Sequence, residues 1–294
     1  MVVVLGSLGA CAVEQTRWQD LESDLRARIC LEPDSFEVAI GLVPLTGSQA
    51  IWIDADTRMH AASTMKVPVL IQLARQVDAG VVSWDDSVVL RNEFSSIVDG
   101  SAYQLTIEDD SDSTLYQRIG EVITYHELAE RMIVRSSNMA TNVLVDVLGA
   151  PATQRTAREL GADSIEVLRG VEDMKAYRQG LSNTTTARDL AILMRALATG
   201  NAASDEATEV MVEILERQEF HDLIPAGLPP GTRVANKTGW ITGIVHDAAI
   251  VYPPGCPAYV MVVLTRGFVE YGDAARVVAE LSSIVYHGLG CSAE

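Results

Sequence analysis

The chain has 294 residues, 48% hydrophobic and 21% charged, enough apolar material for one large globular unit or two intimately joined subdomains and too much for a disordered one. Its 40 acidic side chains against 22 basic ones give a formal charge of -18, which disfavours nucleic acid and anionic membrane surfaces as partners, since both are held by basic patches. An anionic substrate has to be captured by a local cation against the mean field of the protein.

Val2-Val3-Val4-Leu5 followed by Leu8-Gly9-Ala10-Cys11 resembles the end of a lipoprotein signal peptide, in which the cysteine is lipidated after cleavage. No basic segment precedes it, and the apolar stretch is too short for a signal peptide or a membrane span. Residues 1–13 are therefore expected to be either a truncated lipoprotein signal, anchoring an exported periplasmic or extracellular protein through Cys11, or a plain mobile tail. Cys11, Cys30, Cys256 and Cys291 show neither Cys-x-x-Cys spacing nor a Cys/His cluster, so no zinc site, no other metal and no cofactor is expected. Cysteines so widely scattered are more often free than paired.

Residues 14–29 repeat Trp18, Leu21, Leu25 and Ile29 at helical intervals. Phe36 to Leu45 and Ala50 to Asp54 read as a hairpin, with Gly47-Ser48 in its turn. Val67 to Val77 is an apolar helical stretch. The segment Phe94 to Arg118, rich in Ser and Asp and containing Asp109-Asp110-Ser111-Asp112-Ser113, is expected to be a solvated acidic loop or lid. Its spacing does not match an EF-hand calcium loop. Amphipathic His126 to Ile133 is followed by helices over Asn138 to Leu148, Thr153 to Leu160, Thr186 to Ala198 and Ser204 to Gln218, with Thr186 and Asp189 in a capping arrangement. Thr232 to Trp240, Gly243 to Tyr252 and Ala258 to Thr265 read as strands, before a closing helix from Tyr271 to His287.

The economical architecture is α+β: a five-stranded antiparallel sheet built from both ends of the chain, flanked by terminal helices, with an all-helical subdomain inserted between its second and third strands. This makes residues 14–288 a single domain, its sheet part about 14–60 and 231–288 and its helical part about 61–230. A monomer is the expected state.

Three motifs follow in order: Ser63-Thr64-Met65-Lys66, Ser136-Ser137-Asn138 and Lys237-Thr238-Gly239. Ser63 and Lys66 fall in the first turn of a helix, and a spacing of three places both on one face. A serine hydroxyl attacks only after a base takes its proton, and a lysine serves as that base only with a lowered pKa. Ser136 can relay a proton to a departing nitrogen, and Asn138 can bind both a substrate carbonyl and the lysine. Lys237 and Thr238, on the first of the late strands, can hold a substrate carboxylate, while Gly239 lets a ligand approach the backbone. The N–H groups of Ser63 and Trp240 would form an oxyanion hole. Taken singly, each motif has an ordinary reading: a chance S-x-x-K, a helix N-cap, an edge lysine that guards against aggregation.

Together, these motifs and the stretches Ser136-Ser137-Asn138-Met139-Ala140-Thr141-Asn142 and Asn183-Thr184-Thr185-Thr186 resemble the class A β-lactamase family, more closely its broader branch of related serine hydrolases. The resemblance covers residues 14–288. It implies a serine β-lactamase working through a Ser63 acyl-enzyme, with Lys66 as base, Ser136 as proton relay, and Glu172 directing the deacylating water. The substrate implied is a small β-lactam or a peptidoglycan-like molecule. Departures from the family pattern bear on deacylation. Ala176 stands where the family has an asparagine four residues after the glutamate, Asn183 replaces an aspartate, and the loop from Leu168 to Tyr177 is about two residues shorter than usual. Ser137 stands where aspartate is common, and the Ser63 to Ser136 interval is longer than the norm. Acylation is thus better supported than fast deacylation, and two alternatives remain: an esterase or D-alanyl-D-alanine carboxypeptidase, or a penicillin-binding sensor that stays acylated. Adjacent His246 and Asp247 point to opposite faces of a strand and do not complete a Ser-His-Asp triad.

Overall fold

The computed structural model describes residues 7–291, with side chains from Gln15 onward; the expectation for Cys11 as a lipid-bearing side chain lies outside the described residues. Helix α1 (Ser7–Ile29) leads into strands β1 (Glu37–Pro44) and β2 (Ile51–Ile53). The chain then runs through helices α2 (Lys66–Asp78), α3 (Tyr125–Val134), α4 (Asn138–Leu148), α5 (Ala150–Glu159), α6 (Met174–Arg178), α7 (Ala187–Ala198) and α8 (Asp205–Glu216). It returns through β3 (Arg233–Ile241), β4 (Ile244–Tyr252) and β5 (Tyr259–Arg266) to α9 (Tyr271–Gly288). The five strands form one antiparallel sheet in the order β2-β1-β5-β4-β3.

Strands β4 and β5 are buried along almost their whole length, because helices cover both faces of the sheet and no alternation with water survives. Alternate residues feed two cores. Ile40, Leu42, Met261 and Val263 pack with Leu21, Leu25, Val278 and Leu281 of α1 and α9. Ala39, Val260, Val262 and Leu264 pack instead with α2, α4 and α7, through residues such as Leu70, Leu144 and Leu190. Helix α2 is buried from Lys66 to Ala74 on every side, which makes it the axis of the helical part. Four of the longer helices are capped as side-chain chemistry favours: Thr124, Ser137, Thr186 and Ser204 accept from the N–H of Glu127, Ala140, Asp189 and Ala207.

Two expectations are corrected. Cys256, in the turn after β4, and Cys291, beyond α9, form a disulfide with Cα atoms 5.4 Å apart, while Cys30 is free and exposed. The pairing arises because the antiparallel sheet brings the β4–β5 turn beside the end of α9. The acidic loop is not solvated throughout, since Asp110 and Asp112 are buried. Asp112 meets Arg131 Nη1 at 2.8 Å. Asp110 accepts from the N–H groups of Asn138 (3.0 Å) and Met139 (2.9 Å), where a carboxylate offsets the unpaired donors and positive dipole of a helix N-terminus. Among the described residues, no helix is long and apolar enough to cross a membrane, and no group of three or more His, Cys, Asp and Glu is placed to hold a metal ion.

Candidate active site

The cleft of about 560 Å³ lies between edge strand β3 and the helical part, lined by Ser63, Ser136, Asn138, Glu172, Thr238, Gly239 and Trp240 among others. Lys66 and Lys237 lie behind it, both fully buried. All nine predicted site residues are thus brought to one place, on elements far apart in sequence. One local detail differs: Ser63 sits in a 3-10 turn, Ala62–Met65, and α2 begins only at Lys66.

Lys66 Nζ lies 2.6 Å from Ser136 O, 3.0 Å from Asn138 Oδ1 and 3.2 Å from Ser136 Oγ. Two of these acceptors are carbonyl oxygens, so an amine that has lost one proton can still donate an N–H to each and keep a free lone pair. Burial lowers Lys66 to about 7, with Asp110 and Glu172 opposing. Lys237 Nζ donates to Ser136 Oγ at 3.0 Å and to Thr238 O at 2.8 Å. Its pKa is held well below the usual lysine range, by burial first and by Lys66 second. Ser136 therefore bridges the two amines.

Gly239 has a reason beyond ligand access. A Cβ there would lie 2.8 Å from Ser63 N and 3.0 Å from Thr64 N, so only glycine lets β3 run against the turn that carries Ser63. Among the described residues four non-glycines have positive φ, and three of them adjoin or form the cleft: Ala62 (44°), Ser136 (57°) and Glu172 (58°). Each such conformation costs about 1–3 kcal/mol and persists where its surroundings fix it.

Glu172 is half-buried, and burial raises its pKa, Asp109 adding to the effect while Arg169 and Lys66 oppose it. The backbone that carries it is tied down one residue earlier. Val171 N–H donates to Asn142 Oδ1 at 2.6 Å, and Val171 O accepts from Asn142 Nδ2 at 3.0 Å and from the Tyr103 hydroxyl at 3.1 Å. Asp173, the neighbouring carboxylate, is buried and committed elsewhere: it accepts from the Ser96 hydroxyl and the N–H groups of Ile97 and Ala176. It is a cap for α6 and a tie to the loop over residues 94–101, which leaves Glu172 as the carboxylate facing the cleft from this loop. Arg169 and Asp110 also line the cleft; Asp110 was read only as part of an acidic loop, and Arg169 stands in no motif.

His246 and Asp247 diverge as strand alternation requires. Buried His246 accepts from Thr265 N–H through Nδ1 at 3.1 Å, which puts its proton on Nε2, 2.9 Å from His60 O. Burial lowers its pKa to about 4, so it is a neutral structural imidazole.

A family described as the beta-lactamase enzyme family matches residues 20–289. The chain belongs to this family. Among curated relatives, a beta-lactamase of Bacillus licheniformis is 30% identical over 172 residues, 57% of this chain and 56% of that protein, so the match spans about half its length. Among solved structures, a beta-lactamase from Sphaerobacter thermophilus superposes with a TM-score of 0.78 at 26% identity, covering 93% of this chain and 98% of that one. PBP-A superposes with a TM-score of 0.79 at 26% identity, covering 94% and 96%. Asn183, which stands where the family pattern has an aspartate, is a buried amide. Its Oδ1 accepts from the N–H groups of Leu168 and Arg169, and its Nδ2 donates to Arg169 O at 2.9 Å. Ala176, by contrast, is buried in α6 with a methyl where the family pattern has an amide.

Proposed function

We propose that the protein is a serine β-lactamase of class A type, in which neutral Lys66 takes the proton of the Ser63 hydroxyl as its oxygen attacks the lactam carbonyl. The observation that carries this is the placement of Ser136 Oγ within 3.2 Å of one buried amine and 3.0 Å of another. A hydroxyl so placed can pass the proton from Lys66 to the lactam nitrogen as the C–N bond breaks. The N–H groups of Ser63 and Trp240 stabilise the oxyanion, and their donor geometry rests on the close packing that Gly239 permits. Lys237 and Thr238 hold the substrate carboxylate, the local cation that a chain of charge -18 requires. Glu172 accepts a proton from the water that hydrolyses the acyl-enzyme. The Cys256–Cys291 disulfide supports an exported protein, because such bonds persist in oxidising compartments.

Intact-protein mass spectrometry after brief mixing with a penicillin tests these roles. The wild type is expected to be mostly free and Glu172→Gln to carry a persistent adduct, because the carboxylate is needed for release and not for attack. Equal clearance by both proteins removes Glu172 from the mechanism. An adduct lasting hours in the wild type makes the protein a penicillin-binding sensor, and slow lactam turnover beside fast turnover of esters or D-alanyl peptides makes it the related hydrolase.

A further inference from the structure

The turn that carries Ser136 is gripped by a segment with no place in the three motifs. Asp110, buried within the acidic loop, uses both of its oxygens. Oδ1 accepts from the N–H groups of Asn138 and Asp112, each at 3.0 Å, and Oδ2 from Met139 N–H at 2.9 Å and the Tyr116 hydroxyl at 3.3 Å. Its neighbours on either side extend the grip. Asp109 O accepts from Asn138 Nδ2 at 2.9 Å, and Ser111 Oγ donates to Ser136 O at 3.2 Å. The loop is fixed in turn to α3, where Arg131 Nη1 donates to Asp112 Oδ2 at 2.8 Å and to Thr114 Oγ1 at 2.9 Å. Ser137, in the middle of the motif, cannot provide the same hold, because its hydroxyl is committed to Ala140 N–H at 3.2 Å.

Ser136 needs such a hold more than an ordinary loop residue does. Its backbone sits at a φ of 57°, a conformation that relaxes unless its surroundings fix it, and its hydroxyl has to stay 3.2 Å from Lys66 Nζ and 3.0 Å from Lys237 Nζ. On one side the turn is tied by Ser137 N–H to Arg131 O at 3.0 Å. On the other side the ties are those to Asp110. Helix α4 already has its cap in Ser137, so capping alone does not account for a buried carboxylate brought in from a distant loop. We propose that Asp110 is a positioning residue for acylation, holding the turn of residues 136–138 so that the Ser136 hydroxyl stays between Lys66 and Lys237. The step it serves is the breaking of the lactam C–N bond, in which Ser136 Oγ gives its proton to the nitrogen and takes from Lys66 the one that came from Ser63. Lys66 itself stands on α2, buried on every side, and keeps its place without the loop.

This inference rests on Ser136 as the proton relay, and the test separates the two. Acylation rates are measured by stopped flow for a penicillin and for a carboxyphenyl ester of the same acyl side chain. The lactam nitrogen has to be protonated as it leaves, whereas a phenoxide leaves without a proton. Asp110→Ala is expected to slow acylation by the penicillin about 100-fold, the cost of displacing a positioned group by about 1 Å, and acylation by the ester far less. Losses in equal proportion, or no loss on either substrate, would make Asp110 a purely structural cap and overturn the proposal. Asp110→Asn keeps the size of the side chain but turns an NH2 group against one of the N–H groups it must accept from, and is expected to show the same selectivity. If Asp110→Ala does not fold, equal or absent losses in Asp110→Asn overturn the proposal instead. Ser136→Ala is the reference: equal loss on both substrates there refutes the relay itself, whereas selective loss there beside an unselective Asp110→Ala refutes only the role of Asp110.

Discussion

Lys66 illustrates how burial creates reactivity in a single side chain. An amine at its ordinary pKa is protonated at neutral pH and cannot act as a base; at about 7, half of it is free. Below that value each unit of pH lowers the neutral fraction tenfold, so the rate of acylation should fall about tenfold per unit on the acid side. In the proposed reaction Lys237 works in the opposite sense, because holding a carboxylate would need its proton, and its depressed pKa should bring the alkaline limb in below the usual lysine range. Stopped-flow acylation by a penicillin between pH 5 and 10 should trace a bell. A flat acid side would show that Lys66 is not the base. The residues of the three motifs could be singled out in sequence because each motif is a short string at fixed spacing, whereas Glu172 was named only through the family resemblance. Asp110, Arg169 and Asn142 were not, since their roles come from backbone N–H groups and neighbours supplied by distant segments. For Asp110 the local string of acids even pointed the wrong way, toward solvent.

Among the elements, the segment from Leu168 to Asn183 carries Glu172 with only one short helix of its own. Its shape is imposed by amide side chains outside and inside it, Asn142 at Val171 and Asn183 at Arg169. Gly170 is where this fit is tightest, for a Cβ there would lie 2.3 Å from Asn142 Oδ1. Gly170→Ala should push the segment off Asn142 and misplace Glu172 while leaving the Ser63 turn intact. A misplacement of about 1 Å costs on the order of 100-fold in a positioned step. The variant should retain its burst of one acylation per site and lose steady-state turnover by that order; loss of the burst itself would show that the segment also shapes the acylation site. The helices and strands of the sequence reading match the structure to within a few residues where apolar periodicity ran long, as in α7, α9 and the late strands. Helix α6 escaped notice because five residues give no periodicity. Its start is set instead by Asp173, a cap that also serves a distant loop.

At the scale of the molecule, the sheet was legible because both ends of the chain carry long strand-like runs; the middle, expected to be all-helical, also holds three two-stranded ribbons of two or three residues a strand, too short to show an alternation. What sequence could not supply was the pairing of cysteines, which depends on the β4–β5 turn meeting the end of α9. The Cys256–Cys291 bond closes a separation of 35 residues, and the chain-entropy estimate for such a loop is about 3–4 kcal/mol. Replacing both cysteines by serine should lower unfolding stability in urea by roughly that amount, with acylation by penicillin unchanged in the folded protein. No change in the urea midpoint would mean that α9 holds its place by packing alone.

The central strands β1 and β5 face each other across most of the chain, as the ion pair between Glu37 and Arg266 shows, 229 residues apart in sequence. A polypeptide still being made on the ribosome cannot pair them. Until β5 has emerged, β1 and β2 have no third strand beside them, and both cores lack a wall. Completion of the fold therefore waits for the last strands to be made, and the cleft cannot close around its site before them.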